Sequence, residues 1–386
     1  MASGYNSIWD ALVPWAGKNI LHVGYPITVK PNGSGDTTYN YVQLFLYAVV
    51  AVIASIVWSV ADRKRKNYDL LLYWLMVYVR YYLAFTMMGY GLYKIIKTQF
   101  PFPFGGMTRT FGESSPMGLL WSFMGYSTAF NVFTGLAEAI GGFLLLFRRT
   151  STFGSLVCIT VLSNIVAMNF CYDVPVKLYS SNLLLMAIFI AAPEMRRLIN
   201  FFFLNKAVPA VNRLPKFRKR WMKISGIAIK ILLIGSVLYF TITGVWEGYK
   251  TYGDEATQKK PLFGVYNVTK FVKNKDTLPA LATDTLQWKQ LSIIYTDYAT
   301  IKMMNDSVKG YNFKPDTATK TVKLFTFSDT AHKSTLHYFN PDSTHLVFTG
   351  KLHDDSVYIE MQKLDFNKMR LINRGFHWIN EYPYNR

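Results

Sequence analysis

The sequence predicts a membrane all-α bundle of six transmembrane helices followed by a C-terminal antiparallel β-barrel-like domain. Three observations predict it. Residues 41–246 hold six apolar runs, each near the roughly 20 residues that cross a hydrocarbon core of about 30 Å. Short basic clusters close alternate ends of those runs. From residue 261 onward the pattern changes to short runs in which every second residue is apolar, as in Leu336 and Tyr338, Leu346 and Phe348, and Val357, Ile359 and Met361. That is the period of a half-buried strand. The expected organisation is an extracytoplasmic interfacial segment (1–40), a transmembrane domain (41–246), a linker (247–260) and an extracytoplasmic β-rich domain (261–386).

The chain has 386 residues, 51% of them hydrophobic, and a net charge of +19. A nucleic-acid-binding surface would gather such charge on one soluble face. Here the charge lies at span ends, so no nucleic-acid partner is expected and the lipid bilayer is. The clusters at 62–66, 148–149 and 196–223 hold fifteen Lys and Arg, against five in the opposite loops and N-terminal segment. By the positive-inside rule the basic loops are cytoplasmic. A multi-pass protein of a bacterial inner membrane follows, with the N-terminus and the C-terminal domain on the periplasmic side.

In chain order, residues 1–40 show no secretory leader pattern. Ile8–Val23 suits a short helix lying at the interface, with Trp9 and Trp15 at headgroup level. The spans are then expected at Tyr41–Ala61, Tyr68–Lys97, Trp121–Phe147, Ser151–Phe170, Leu178–Ala192 and Ile224–Trp246. The stretch 99–106, QFPFPFGG, is too rich in proline to stay helical. Ser115 and Pro116 restart a helix. In the β-rich domain nine runs look like strands, the last being GFHWINEYP at 375–383. Eight or nine short antiparallel strands suit a small up-and-down barrel.

Two groups of polar residues stand out. Arg80 and Glu138 each lie about 15 Å from the basic end of their span at 1.5 Å per residue. Charges at that depth need partners, so an Arg80–Glu138 ion pair is expected. Tyr81, Tyr82, Asn131 and Asn164 could extend it into a network. Lys94, Lys97, Gln99, Asn169, Asp173 and Lys177 form a second cluster at the outer mouth, suited to a lipid or quinone headgroup or an anionic substrate. Gly135, Ala139 and Gly142 share a helix face that permits close packing.

Other chemistry finds little support. Cys158 and Cys171 lie about 20 Å apart along one helix, too far to bridge. His332, His337, His345, His353 and His377 lack a ligand spacing such as HxH or HExxH, so no metal is expected. No P-loop, dinucleotide fingerprint or nucleophile elbow occurs, and no residue set marks a catalytic centre.

The stretches RYYLAF (80–85), YGLYKIIKTQFP (90–101), SPMGLLWSFMGYS (115–127), GLAEAIGGFLLLFRRT (135–150) and NFCYDVPVKLYSSNLLL (169–185) resemble the DoxX-like family of small bacterial membrane proteins, in its long Bacteroidota-type form. The resemblance implies a four-helix core made of spans two to five, with one helix added on each side. It also implies a membrane component of a redox or quinone-linked system, working with a redox or assembly partner and with quinone as the candidate cofactor. The opening LFGVYNV, the following DTLQW and the closing RGFHWINEYPYNR look like a lipocalin-like barrel. That likeness implies either an interior for an apolar ligand or a filled module. The alternative function is therefore a membrane-anchored lipid-binding, assembly or docking protein without catalysis of its own.

Overall fold

A computed structural model describes residues 2–208, 220–295, 297–326, 333–352 and 354–384. His332, His353 and much of the basic connector between spans five and six lie outside the described residues. The chain divides into two compact units: residues 1–101 with 111–247, and residues 102–110 with 248–386.

Among the described residues, six helices of the first unit are long and apolar enough to cross a membrane. Helix α1 (Ala2–Asn19) precedes them and is longer at its start than the expected interfacial helix. It packs Val13 and Ala16 onto Tyr39, Val42 and Leu46 of α2 (Thr38–Ala61). Beyond that contact α2 exposes Val50, Ile53, Val57 and Val60. A helix apolar on every face suits lipid, not water. Helix α3 (Asp69–Ile95) is the second span.

The third span departs from expectation. The expected run is two helices, α4 (Pro116–Tyr126) and α5 (Thr128–Leu146), broken at Ser127, and α5 alone is the membrane-length helix. Ser127 is extended, and its hydroxyl accepts from Phe130 N. Serine serves as an N-cap because its oxygen satisfies a free amide of the new first turn. Asn131 supports the break by donating to the Met124 and Ser127 carbonyls.

Helices α6 (Ser151–Cys171) and α7 (Lys177–Ala191) follow, then the short α8 (Met195–Phe202) and the long α9 (Arg220–Tyr252). The core is a four-helix ring in which α3 meets α5, α5 meets α6, α6 meets α7, and α7 returns to α3. Leu83, Met87, Leu145, Leu162 and Leu183 fill it.

The second unit is a closed antiparallel barrel. After the short α10 (Asp254–Gln258) come β1 (Gly264–Lys273), the two-residue β2 (Asp276–Thr277), β3 (Trp288–Tyr295), β4 (Tyr298–Met303), β5 (Val308–Asp316), β6 (Thr321–Phe325), β7 (Ser334–Phe339), β8 (His345–Leu352) and β9 (Asp355–Lys363). Strands β3 to β9 each pair with their chain neighbours, and β1 pairs with both β3 and β9 to close the ring. Eight strands leave an interior that side chains can fill. Here Trp288, Phe313, Phe348, Leu291, Ile301 and Ile359 fill it.

The run 375–383 is not the ninth strand. Ring closure uses both edges of β1 and β9, so no ladder position remains for it. Instead Phe376, Trp378, Ile379 and Tyr382 are exposed. The segment 102–110 belongs to this unit: Phe104 packs with Phe263, Val265 and Ile294 on the outer face of β1 and β3, and Asp254 accepts from Phe102 N at 2.7 Å.

The barrel's turns rest on carboxylates. Asp342 accepts from the Thr344 hydroxyl and amide and from His345, and these bonds hold its carboxyl below the usual range. Asp306 is lowered by Lys289 and Lys302, and Asp316 by Thr319. A carboxylate with a depressed folded-state pKa stabilises above its unfolded value of about 3.9 and loses that contribution as pH falls through the folded value. Barrel stability is therefore expected to hold from pH 7 to about 4 and to drop below it. Near-ultraviolet circular dichroism of thermal unfolding against pH checks this, and a steady decline between pH 7 and 5 would contradict it.

Candidate functional site

The α3–α5 seam sets the polar site. A Cβ on Gly91 would lie 2.6 Å from the Gly135 carbonyl oxygen, and one on Gly142 would lie 2.6 Å from the Ala84 carbonyl oxygen. Only glycine lets the two backbones meet this closely. The resulting antiparallel register sets Arg80 level with Leu146 and Glu138 level with Met88. Eight residues along α3 separate these levels, about 12 Å.

The expected Arg80–Glu138 pair is therefore corrected. The partner of Glu138 is Lys94, one turn past Gly91, whose ammonium donates to Glu138 Oε1. Both side chains are buried. The expectation failed because depths counted from the basic loops treat helix ends as flush, whereas α3 runs three turns beyond the level at which α5 ends. Lys94 is likewise not a mouth residue. It stands at the end of α3 but turns inward along the close glycine contact, with its ammonium 5.9 Å from the Phe100 ring centre. Phe100 in turn meets Trp121 edge-on at 5.1 Å.

The pair leaves hydrogen-bonding capacity unused. Glu138 Oε2 is buried without a hydrogen-bond partner, and so are Asn131 Oδ1 and Gln99 Oε1. Asn131, Gly135, Glu138 and Gly142 recur at helical spacing on one face of α5. The Asn131 amide nitrogen is committed to two carbonyls, which fixes its oxygen as a free acceptor. Buried polar atoms normally find partners, so this face is built to accept hydrogen bonds.

Over 125 residues, 32% of this chain, the sequence is 31% identical to the uncharacterized protein YwoB of Bacillus subtilis (strain 168), 79% of which it covers. The chain belongs to the YwoB family. No family model and no solved structure matches it.

The remaining expected site residues of this YwoB-family chain scatter. Asn169 is buried and donates to Ser180 Oγ at 2.9 Å, tying α6 to α7. Asp173 and Lys177 pair with each other at 2.8 Å. Lys97 ends α3 in a left-handed conformation. Tyr82 shares a hydroxyl contact of 3.3 Å with Tyr179. Tyr81 lies beneath Arg80. Asn164 is exposed on α6 and joins no polar network with Glu138. Both cysteines are free, Cys158 buried and Cys171 exposed.

One residue escaped the sequence reading. Asp36, in the loop before α2, accepts from the backbone amides of Lys177 and Leu178 at 2.6 and 2.9 Å. It caps α7 from a distance, where a carboxylate suits the positive helix end. No local spacing signals a cap supplied 141 residues away.

Proposed function

We propose that the bundle of this YwoB-family membrane protein is DoxX-like and binds the headgroup of a reduced quinone beside the Lys94–Glu138 pair, against the face of α5 that carries Asn131. It would act as the membrane component of a redox or quinone-linked system, with a protein partner that exchanges the electrons. We place it in a bacterial inner membrane with the N-terminus and the barrel on the periplasmic side, on the strength of the charge bias of its loops.

The observation that carries this reading is the set of buried free acceptors beside an ammonium. Glu138 Oε2 and Asn131 Oδ1 are free to accept hydrogen bonds, Lys94 supplies a fixed charge, and Phe100 and Trp121, packed edge-on, offer an apolar aromatic wall. A hydroquinone carries two hydroxyl donors on a flat ring, so it suits acceptors better than its oxidised form does. When bound, that headgroup would supply the redox chemistry, and this chain's residues would bind and orient it and exclude water.

The test is thermal unfolding of the full chain in nanodiscs with a short-chain hydroquinone. A ligand at a hundred times its Kd stabilises by about 2.7 kcal/mol. That shift is expected for the wild type and is expected to vanish in Glu138→Gln, which keeps the side-chain volume. No shift in the wild type, or an equal shift in both, would sink the reading.

A docking role has its own support. The barrel is filled rather than hollow, and Phe376, Trp378 and Tyr382 stand exposed after β9. Replacing those three with Ser would abolish capture of a partner while leaving the hydroquinone response intact.

A further inference from the structure

At the other end of the α3–α5 seam from Lys94, three cations converge from three elements. The Arg80 guanidinium on α3 lies 5.0 Å from the Tyr81 ring centre, and that of Arg148, just past α5, lies 5.3 Å from the Tyr73 ring centre. The Lys230 ammonium on α9 lies 4.9 Å from the Phe147 ring centre and donates to the Leu146 carbonyl at 2.7 Å. All three are half-buried. Arg80 stands close enough to Arg148 and to Lys230 to be repelled by each.

Gathering like charges in a partly desolvated place is unfavourable unless something negative joins them. The carbonyl end of α5 supplies part of that, and Lys230 already uses one carbonyl. Among the described residues, no carboxylate forms an ion pair with Arg80 or Lys230. Ring contacts hold Arg80 and Lys230 in place while leaving donors of these two side chains for a further hydrogen bond.

We propose that Arg80, Arg148 and Lys230 form a site for the phosphate group of an anionic phospholipid. A planar guanidinium matches two phosphate oxygens at once, and the lysine adds a point charge. Basic pockets between membrane helices are suited to acidic headgroups. A lipid source is favoured over soluble phosphate by what surrounds the site. Phe143, Phe147, Ile227 and Ile231 are exposed beside it and offer an apolar bed for acyl chains. This site is independent of the quinone reading, because it lies about 12 Å along α3 from the level of Glu138.

Native mass spectrometry of the full chain, released from mixed phosphatidylglycerol and phosphatidylcholine bilayers, tests the proposal. The wild type is expected to retain one phosphatidylglycerol per chain in preference to phosphatidylcholine. The double variant Arg80→Gln/Lys230→Gln is expected to lose that preference at least tenfold. Lys64→Gln/Lys66→Gln, which removes as much charge elsewhere, is expected to keep it. Equilibrium dialysis with radiolabelled inorganic phosphate forms the second arm. Binding of phosphate alone, with no retained lipid, would overturn the lipid assignment. Equal retention in the wild type and the Arg80/Lys230 variant, or equal loss in both double variants, would overturn the site itself.

Discussion

Glu138→Ala is expected to destabilise the bundle by about 3–5 kcal/mol, because it leaves the Lys94 ammonium buried and alone. Lys94→Ala is expected to cost a comparable amount by stranding the carboxylate. The double variant Lys94→Met/Glu138→Leu removes both charges and restores apolar packing, so it is expected to fall within about 1 kcal/mol of the wild type. The difference between the singles and the double is the signature of a direct pair. Arg80→Ala, at the far end of the seam, is expected to shift stability by no more than about 1 kcal/mol. Thermal unfolding in detergent, read by fluorescence-detected size exclusion, ranks all four. Additive losses in the double variant, or an Arg80→Ala loss as large as that of Glu138→Ala, would restore the pairing first expected from depth.

Trp288→Ala is expected to have the largest effect in the barrel. The indole is 2% exposed and meets Phe348 edge-on at 6.4 Å and Phe271 at 6.5 Å. It sits at the start of β3 opposite Met303, where the register shifts between Trp288 and Gln290. That bulge lets Trp288 and Leu291 both point inward. Removing a buried tryptophan leaves a cavity that a ring of eight strands collapses poorly, at about 3–5 kcal/mol. A fall of roughly 10–20 °C in the barrel transition is expected. The bundle transition, followed separately in the far ultraviolet at helical wavelengths, is expected to stay put. A loss below about 1 kcal/mol would mean the interior is loosely filled and able to admit a ligand.

The fold was largely legible because two periods carry it. Long apolar runs closed by Lys and Arg mark the spans, and alternation such as Leu346 and Phe348 marks the strands. The break at Ser127 was hidden because α4 and α5 are both apolar, so hydropathy runs through it. The tail at 375–383 reads as a strand by composition. Only ring closure, a global property, denies it a partner. Within the site, Glu138 and Asn131 were legible as buried polar residues, but the partner was not. Lysines at span ends usually reach outward. The glycines that bring Lys94 inward were visible, since Gly135 and Gly142 match Ala84 and Gly91 at the same seven-residue spacing. Aligning those pairs, rather than the charged ends, gives the observed register. Asp36 needed tertiary structure outright.

Quinone binding by the bundle is tested by mass spectrometry of organic extracts from the full chain purified in mild detergent, alongside Glu138→Gln. About one quinone or quinol per wild-type chain is expected, with at least a tenfold loss in Glu138→Gln. Recovery of phospholipid alone from the wild type, or equal quinone from both proteins, would contradict it.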